Sequence, residues 1–179
     1  MNHLMLDLET EDTRPSATIV SIGTVLFDPN EPDGKIVKLP ALYPDRNQQR
    51  SVGRTYSQST LDWWAQQSPA AKTVFQYPQE DCRDVIETIT RVIKSEGIRY
   101  VWGNGVGFDN TILRSFFQSF NAEAPWGFWQ DYDFRTLKAM PGAKGLAPPF
   151  VGIPHDAVDD AYNQARHLQI ICKHFNLNF

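Results

Sequence analysis

The sequence predicts a single α/β domain over residues 1–179, on three observations. Its first third reads as strands divided by turns. A short apolar strand near residue 100 is followed by a glycine-rich turn and a helix, the order of a βαβ element. Helical periodicity then dominates two longer stretches, Asp81 to Glu96 and Asp156 to Lys173. The length suits one domain at about 150 residues per domain, and a chain of this size buries roughly 70% of its unfolded surface. A core therefore forms without disulfides or structural metal.

Leu4-Met5-Leu6 opens the first strand and runs into acidic residues. Thr18 to Phe27 is rich in β-branched and apolar residues, Asp28 to Gly34 is a turn cluster, and Lys35 to Tyr43 is expected as a third strand of an antiparallel meander. Pro44 to Ser57 reads as a loop, with Ser59 or Thr60 capping a helix through Trp63 and Trp64. In Asp81 to Glu96, Val85, Ile89, Val92 and Ile93 share one face and Gly97 stops the helix. Ile98 to Trp102 is a central strand, and Phe108-Asp109 opens a helix through Phe120 after Gly103-Asn104-Gly105-Val106-Gly107. A strand around Phe128 to Asp131 leading to a short helix, a loop from Met140 to Pro154, and the final helix complete the chain.

The net charge of −4 and pI near 5.5 argue against holding nucleic acid by bulk positive charge, yet allow a local site gripping phosphates through metal ions. Cys82 and Cys172 lie far apart and outside any Cys-x-x-Cys pair, which disfavours a disulfide framework or thiolate zinc site and fits a cytoplasmic setting. No signal peptide and no membrane span are expected.

Asp7 and Glu9 stand two apart on a strand and so project from one face. Such paired carboxylates repel unless a hard divalent ion such as Mg²⁺ or Mn²⁺ lies between them; the alternative is a solvated acidic turn continuing through Glu11 and Asp12. Asp109 follows a central strand, where open α/β sheets place ligands, though it also suits a helix N-terminus. The glycines before it invite a phosphate cradle but lack the Lys-Ser or Lys-Thr that would follow one. His155 precedes a helix whose first turn holds Asp156, Asp159 and Asp160, with Asp156 as the cap and Asp159 in the capping-box place. These acids complement a helix dipole on their own account, and a lone His is more often ordinary than catalytic. Ala157 and Ala161 would let another element approach Asp160.

In this order the four acids and the His resemble the DEDD superfamily of 3′→5′ exonucleases, in its His-containing branch. Asp7-Leu8-Glu9-Thr10 matches the first motif, Phe108-Asp109 the second, and His155 with Asp160 the His-x₄-Asp third. Trp63-Trp64 after Ser-Thr-Leu, and Trp-Gly-Asn-Gly before Phe-Asp, look most like a compact bacterial and phage group that includes a polyadenylate-preferring exoribonuclease. Two positions depart from the pattern. Glu11-Asp12 replaces the usual Thr-Gly, and Asn104 lies one residue further from Phe108 than in Asn-x₂-Phe-Asp.

The resemblance implies a ribonuclease H-like fold, a central mixed sheet of antiparallel meander plus parallel strand flanked by helices. It implies two divalent ions, Mg²⁺ or Mn²⁺, held by Asp7, Glu9, Asp109 and Asp160. Asp7 would bridge them, Glu9 would also meet the 3′-terminal nucleotide, and His155 would take the proton of the attacking water. Thr10, Phe108, Trp63 and Trp64 are the candidate substrate contacts; for the aromatics, packing in the core is the competing reading. Phe116, Phe117 and Phe120 read as core; Arg114, Lys138 and Lys144 could touch phosphate, with solvated surface as the default reading. The expected partner is single-stranded nucleic acid or a 3′ overhang, RNA weakly ahead of DNA, and a homodimer is permitted. Rival readings are an exodeoxyribonuclease, a phosphoesterase of very short oligonucleotides, and a nucleic-acid-binding protein without catalysis.

Overall fold

A computed structural model describes residues 1–31 and 34–179; Pro32 and Asp33, within the expected 28–34 turn cluster, lie outside the described residues. Five strands form one sheet: β1 (His3–Thr10), β2 (Ile19–Phe27), β3 (Val37–Lys38), β4 (Tyr100–Gly103) and β5 (Asp131–Asp133), in the spatial order β3-β2-β1-β4-β5. β1, β2 and β3 pair antiparallel, whereas β4 and β5 join β1 in parallel. The mixed sheet is thus the one expected.

Strand parity splits the core in two. Leu4, Leu6 and Leu8 face α3 (Cys82–Ser95) and α4 (Asp109–Ser119), burying against Ile89, Ile93, Leu113 and Phe117. Met5, Val25 and Phe27 point the other way, against Ala161, Ala165 and Leu168 of α6 (Ala157–Phe175). Each buried Leu or Phe is worth roughly 1.5–3 kcal/mol, so reversing the parity of β1 would forfeit both layers. Asp7 and Glu9 share the parity of Met5 and emerge on the α6 side. Gly23, opposite Asp7 in the β1–β2 register, lets the start of α6 press onto the sheet: a Cβ there would collide with the Ala157 backbone. The small residues around Asp160 do what their size implied.

The third strand is far shorter than Lys35 to Tyr43, because Pro40 has no N–H to give a ladder. Pairing resumes only at the Ile22–Leu42 bridge. The expected 44–57 loop contains α1 (Arg46–Ser51), capped by Asp45 and fixed by Gln49, which exchanges hydrogen bonds with the Ile19 backbone. Ser57, not Ser59 or Thr60, caps α2 (Gln58–Ala65), its hydroxyl accepting from the Thr60 N–H. Phe128–Gln130 forms a 3₁₀ turn and the strand follows it, leading to α5 (Phe134–Lys138). Another 3₁₀ turn, Ala143–Leu146, interrupts the 140–154 loop. Among the described residues no helix is long and apolar enough to cross a membrane.

Candidate active site

Three elements converge at the carboxyl ends of β1 and β4. Asp7 and Glu9 come from β1, and Asp109 from the first turn of α4, where its Oδ1 accepts the Leu8 N–H at 3.3 Å. Gly103 permits that approach, since a Cβ would strike the Asn110 side chain and stand 3.0 Å from Asp109 Cβ. Gly103 therefore serves close packing, whereas nothing lies within 4 Å of a Cβ placed at Gly107. Asp160 comes from the first turn of α6. Its Oδ2 accepts the His155 N–H at 2.8 Å, tying the loop to the helix.

Asp156 caps α6 by accepting from Val158 and Asp159, as expected. Asp159 makes no capping box: its carboxylate takes the Ile153 N–H and pairs with Lys38. The acids and His155 line a cavity of about 260 Å³ together with Asn104, Phe108, Arg135 and Gln164. Ligand atoms of Glu9, His155 and Asp160 lie within 4.8 Å of one another, a spacing one cation can bridge. His155 holds a left-handed backbone, φ 66°, uncommon outside glycine and frequent where a side chain must be aimed.

The electrostatics point to a cation. Burial raises the Asp7 carboxyl well above its ordinary range, and the charges of Asp109 and Asp160 raise it further. Burial, then Asp7, pushes Glu9 up to about 10. Burial carries Asp109 up to about 7 against the Leu8 N–H, and it raises Asp160. Among the described residues no Lys or Arg forms an ion pair with these four, although all five ion pairs found elsewhere use Lys or Arg. Gln164 donates to Asp7 Oδ1 at 2.7 Å, yet its own buried Oε1 has no hydrogen-bond partner there. Oxygen donors short of positive charge are what hard divalent ions bind, so the residues fit the implied metals.

The sign of the pH dependence follows. Each acid binds its proton more tightly when folded, so stability falls as pH rises, from about 4 to about 7 for Asp109 and onward for Glu9. Metal-free protein should melt several degrees lower at pH 8 than at pH 5, since ~1 kcal/mol moves a domain of this size by roughly 2–4 °C. Mn²⁺ should restore most of the difference, as read by calorimetry. A melting point indifferent to both pH and Mn²⁺ would dismiss the site as a metal centre.

The candidate substrate residues divide. Trp63 is 42% exposed, with its ring edge-on to His155 at 4.9 Å. Trp64 is buried, donates its indole N–H to the Thr10 carbonyl at 2.9 Å and packs on Phe75, so it braces the site. Thr10 spends its hydroxyl proton on the Asp12 carbonyl. Phe108 is half-buried and lines both the acidic cavity and a neighbouring one of about 420 Å³, which Trp63, Trp64 and Thr10 also line. Phe116, Phe117 and Phe120 are core.

Glu11 and Asp12 are not solvated. Both are buried, Glu11 bridged to Arg46 and Arg50 and Asp12 to Arg14 and the Thr55 hydroxyl. Arg114 likewise leaves solvent to hold Asp131 and the carbonyls of Trp126 and Gly127. Sequence reasoning missed Gln164 and Arg135. The first lies one helical turn beyond Asp160, a spacing that gave a usable signal. Arg135, donating to the Asn104 carbonyl from across the sheet edge, gave none.

A family model of the 3′-5′ exoribonuclease Rv2179c-like domain matches residues 2–172. An exodeoxyribonuclease of Enterobacteria phage T4 is 25% identical over 194 aligned positions, covering 89% of this chain and 84% of that protein. Among solved structures, the nuclease domain of 3′hExo, a DEDDh family member bound to rAMP, superposes with a TM-score of 0.63 at 12% identity over 96% of this chain and 92% of the other. The RNase domain of the yeast Pop2 protein gives 0.57 at 11% identity, over 99% and 79%. A full-length 3′-exonuclease gives 0.57 at 13%, over 97% and 82%. At such identities these likenesses establish the ribonuclease H-like fold.

Proposed function

The chain belongs to the 3′-5′ exoribonuclease Rv2179c-like domain family, and from that premise we propose that this 3′-5′ exonuclease removes nucleotides from the 3′ end of single-stranded RNA at the Asp7–Glu9–Asp109–Asp160 centre. The observation that carries the reading is the gathering of Glu9, His155 and Asp160 ligand atoms within 4.8 Å, in the cavity that Asp7 and Asp109 also line. These four acids would hold the divalent ions, Mg²⁺ or Mn²⁺, with Asp7 shared between them. When bound, such ions activate water and offset charge on the departing 3′ oxygen.

The rest falls to the chain's own groups. A ring nitrogen of His155 accepts a proton from the water as its oxygen bonds to phosphorus; the bond from phosphorus to the 3′ oxygen of the shortened strand breaks, and that oxygen takes up a proton. The products are a nucleoside 5′-monophosphate and a new 3′ hydroxyl. A neutral imidazole suits this because one ring nitrogen can accept a proton while the other keeps its own. Trp63 and Phe108 would flank the terminal base in the 420 Å³ cavity. That the 3′hExo neighbour was solved with rAMP agrees with a nucleotide product. Two buried free thiols, Cys82 and Cys172, suit a reducing cytoplasm, and the exposed Phe128 and Trp129 offer apolar surface to a second copy.

The phage relative supports a second reading, in which DNA is the substrate. Strands labelled at the 5′ end, RNA and DNA of one sequence, should shorten from the 3′ end with Mg²⁺ or Mn²⁺ and stay intact in EDTA, RNA the faster. DNA running faster would transfer the assignment to the second reading. If neither strand shortens, the chain is not a strand-degrading enzyme, and turnover of dinucleotides alone would make it a short-oligonucleotide phosphoesterase.

A further inference from the structure

Two cavities flank the acidic centre, and their chemistry differs. The 420 Å³ cavity meets the centre through Leu8, Glu9 and Phe108, and its walls include no Lys or Arg. A second, of about 240 Å³, meets it through Asn104, Asp160 and Gln164, and carries Lys138 and Phe150. The acidic cavity thus shares walls with both neighbours, which share none with each other.

A strand being shortened from its 3′ end has a matching asymmetry. Its last nucleoside carries no phosphate beyond the one under attack, whereas the nucleotide before it brings a 5′-phosphate of its own. We propose that the 240 Å³ cavity is the site of the penultimate nucleotide, with Lys138 bound to that nucleotide's 5′-phosphate and the half-exposed Phe150 ring beneath its base. The proposal rests on the exonuclease reading above and adds the direction in which the strand lies.

The cations at this junction are short of partners. Lys138 Nζ donates to Asn104 Oδ1 at 3.0 Å, which leaves two of its three donors. Arg135 sends Nε and Nη2 to the Asn104 carbonyl, and its Nη1 has no hydrogen-bond partner among the described residues. Neither forms an ion pair with a carboxylate there, unlike Arg14, Lys38, Arg46, Arg50 and Arg114. Burial and the neighbouring charge of Arg135 lower the Lys138 ammonium below its ordinary range, as expected of a cation awaiting an anion. Phe150 is 44% exposed at the same cavity, and a base stacks on such a face whatever its identity.

Two dinucleotides of one sequence, with and without a 5′-phosphate, isolate the contact. Wild-type enzyme should favour the phosphorylated form about tenfold in kcat/KM, the usual worth of a charge-assisted hydrogen bond. Lys138→Ala should bring that ratio close to one, while Lys138→Arg keeps most of it; equal melting points would show that the variants fold. A wild-type ratio near one, or a ratio that survives Lys138→Ala, overturns the proposal, as does a wild-type enzyme that shortens long strands but leaves both dinucleotides intact. If the wild-type enzyme shortens no strand of any length, the exonuclease reading itself has failed.

Discussion

Asp7→Asn is expected to lower turnover on single-stranded substrate by on the order of 10³-fold or more, and at the same time to raise the melting point of the metal-free protein. The two effects share one cause. Burial and the charges of Asp109 and Asp160 raise the Asp7 carboxyl well above its ordinary range, so its ionised form is costly until a cation arrives. An amide of the same shape removes the repulsion and keeps the Gln164 contact within reach. It also removes a carboxylate proposed to hold the metal ions, and the several kcal/mol of charge stabilisation that would be lost with it correspond to the stated rate at 1.36 kcal/mol per tenfold. Gel assays at saturating Mn²⁺ and calorimetry in EDTA read the two quantities separately. A variant within tenfold of wild type would remove Asp7 from the centre; one inactive and also unstable would show that it had simply failed to fold.

His155→Asn should lower kcat by about 10²–10⁴-fold, the range expected when a positioned general base is lost. Asn is the informative replacement because it tolerates the left-handed backbone that residue 155 adopts, so the loop keeps its hydrogen bond to Asp160. The Mn²⁺-induced rise in melting point should survive, since the carboxylates remain. An unaltered rate would take proton transfer away from His155.

Much of this centre was legible in one dimension because its parts are local. Two carboxylates at i and i+2 of a strand share a face whatever surrounds them, and an Asp after a glycine turn or in the first turn of a helix sits at an element's end. The sheet's division into antiparallel and parallel halves was legible for the same reason: strand, turn and helix order restricts the connections available. Segments whose form depends on distant partners were not. Gln49 anchors a helix in what reads as a loop, by hydrogen bonds to Ile19, 30 residues away. Pro40 ends the third strand early, a signal that was present and outweighed by apolar neighbours.

What the sequence determined by itself was the order of the four acids and the His along the chain and the family they point to, since these rest on residue type and short spacing. Only the tertiary structure decided what each neighbour does. Trp63 and Trp64 are adjacent and chemically alike, yet the helix turns one towards His155 and the other inward to the Thr10 carbonyl. Glu11 and Asp12 look like a solvated acidic turn until Arg46, Arg50 and Arg14 close over them. Arg135, which nothing in the chain singles out, lines the acidic cavity, and Lys138, one of three basic residues that could touch phosphate, lines the cavity beside it. Electrostatic free energy depends on distance and burial through space, and separation along the chain fixes neither.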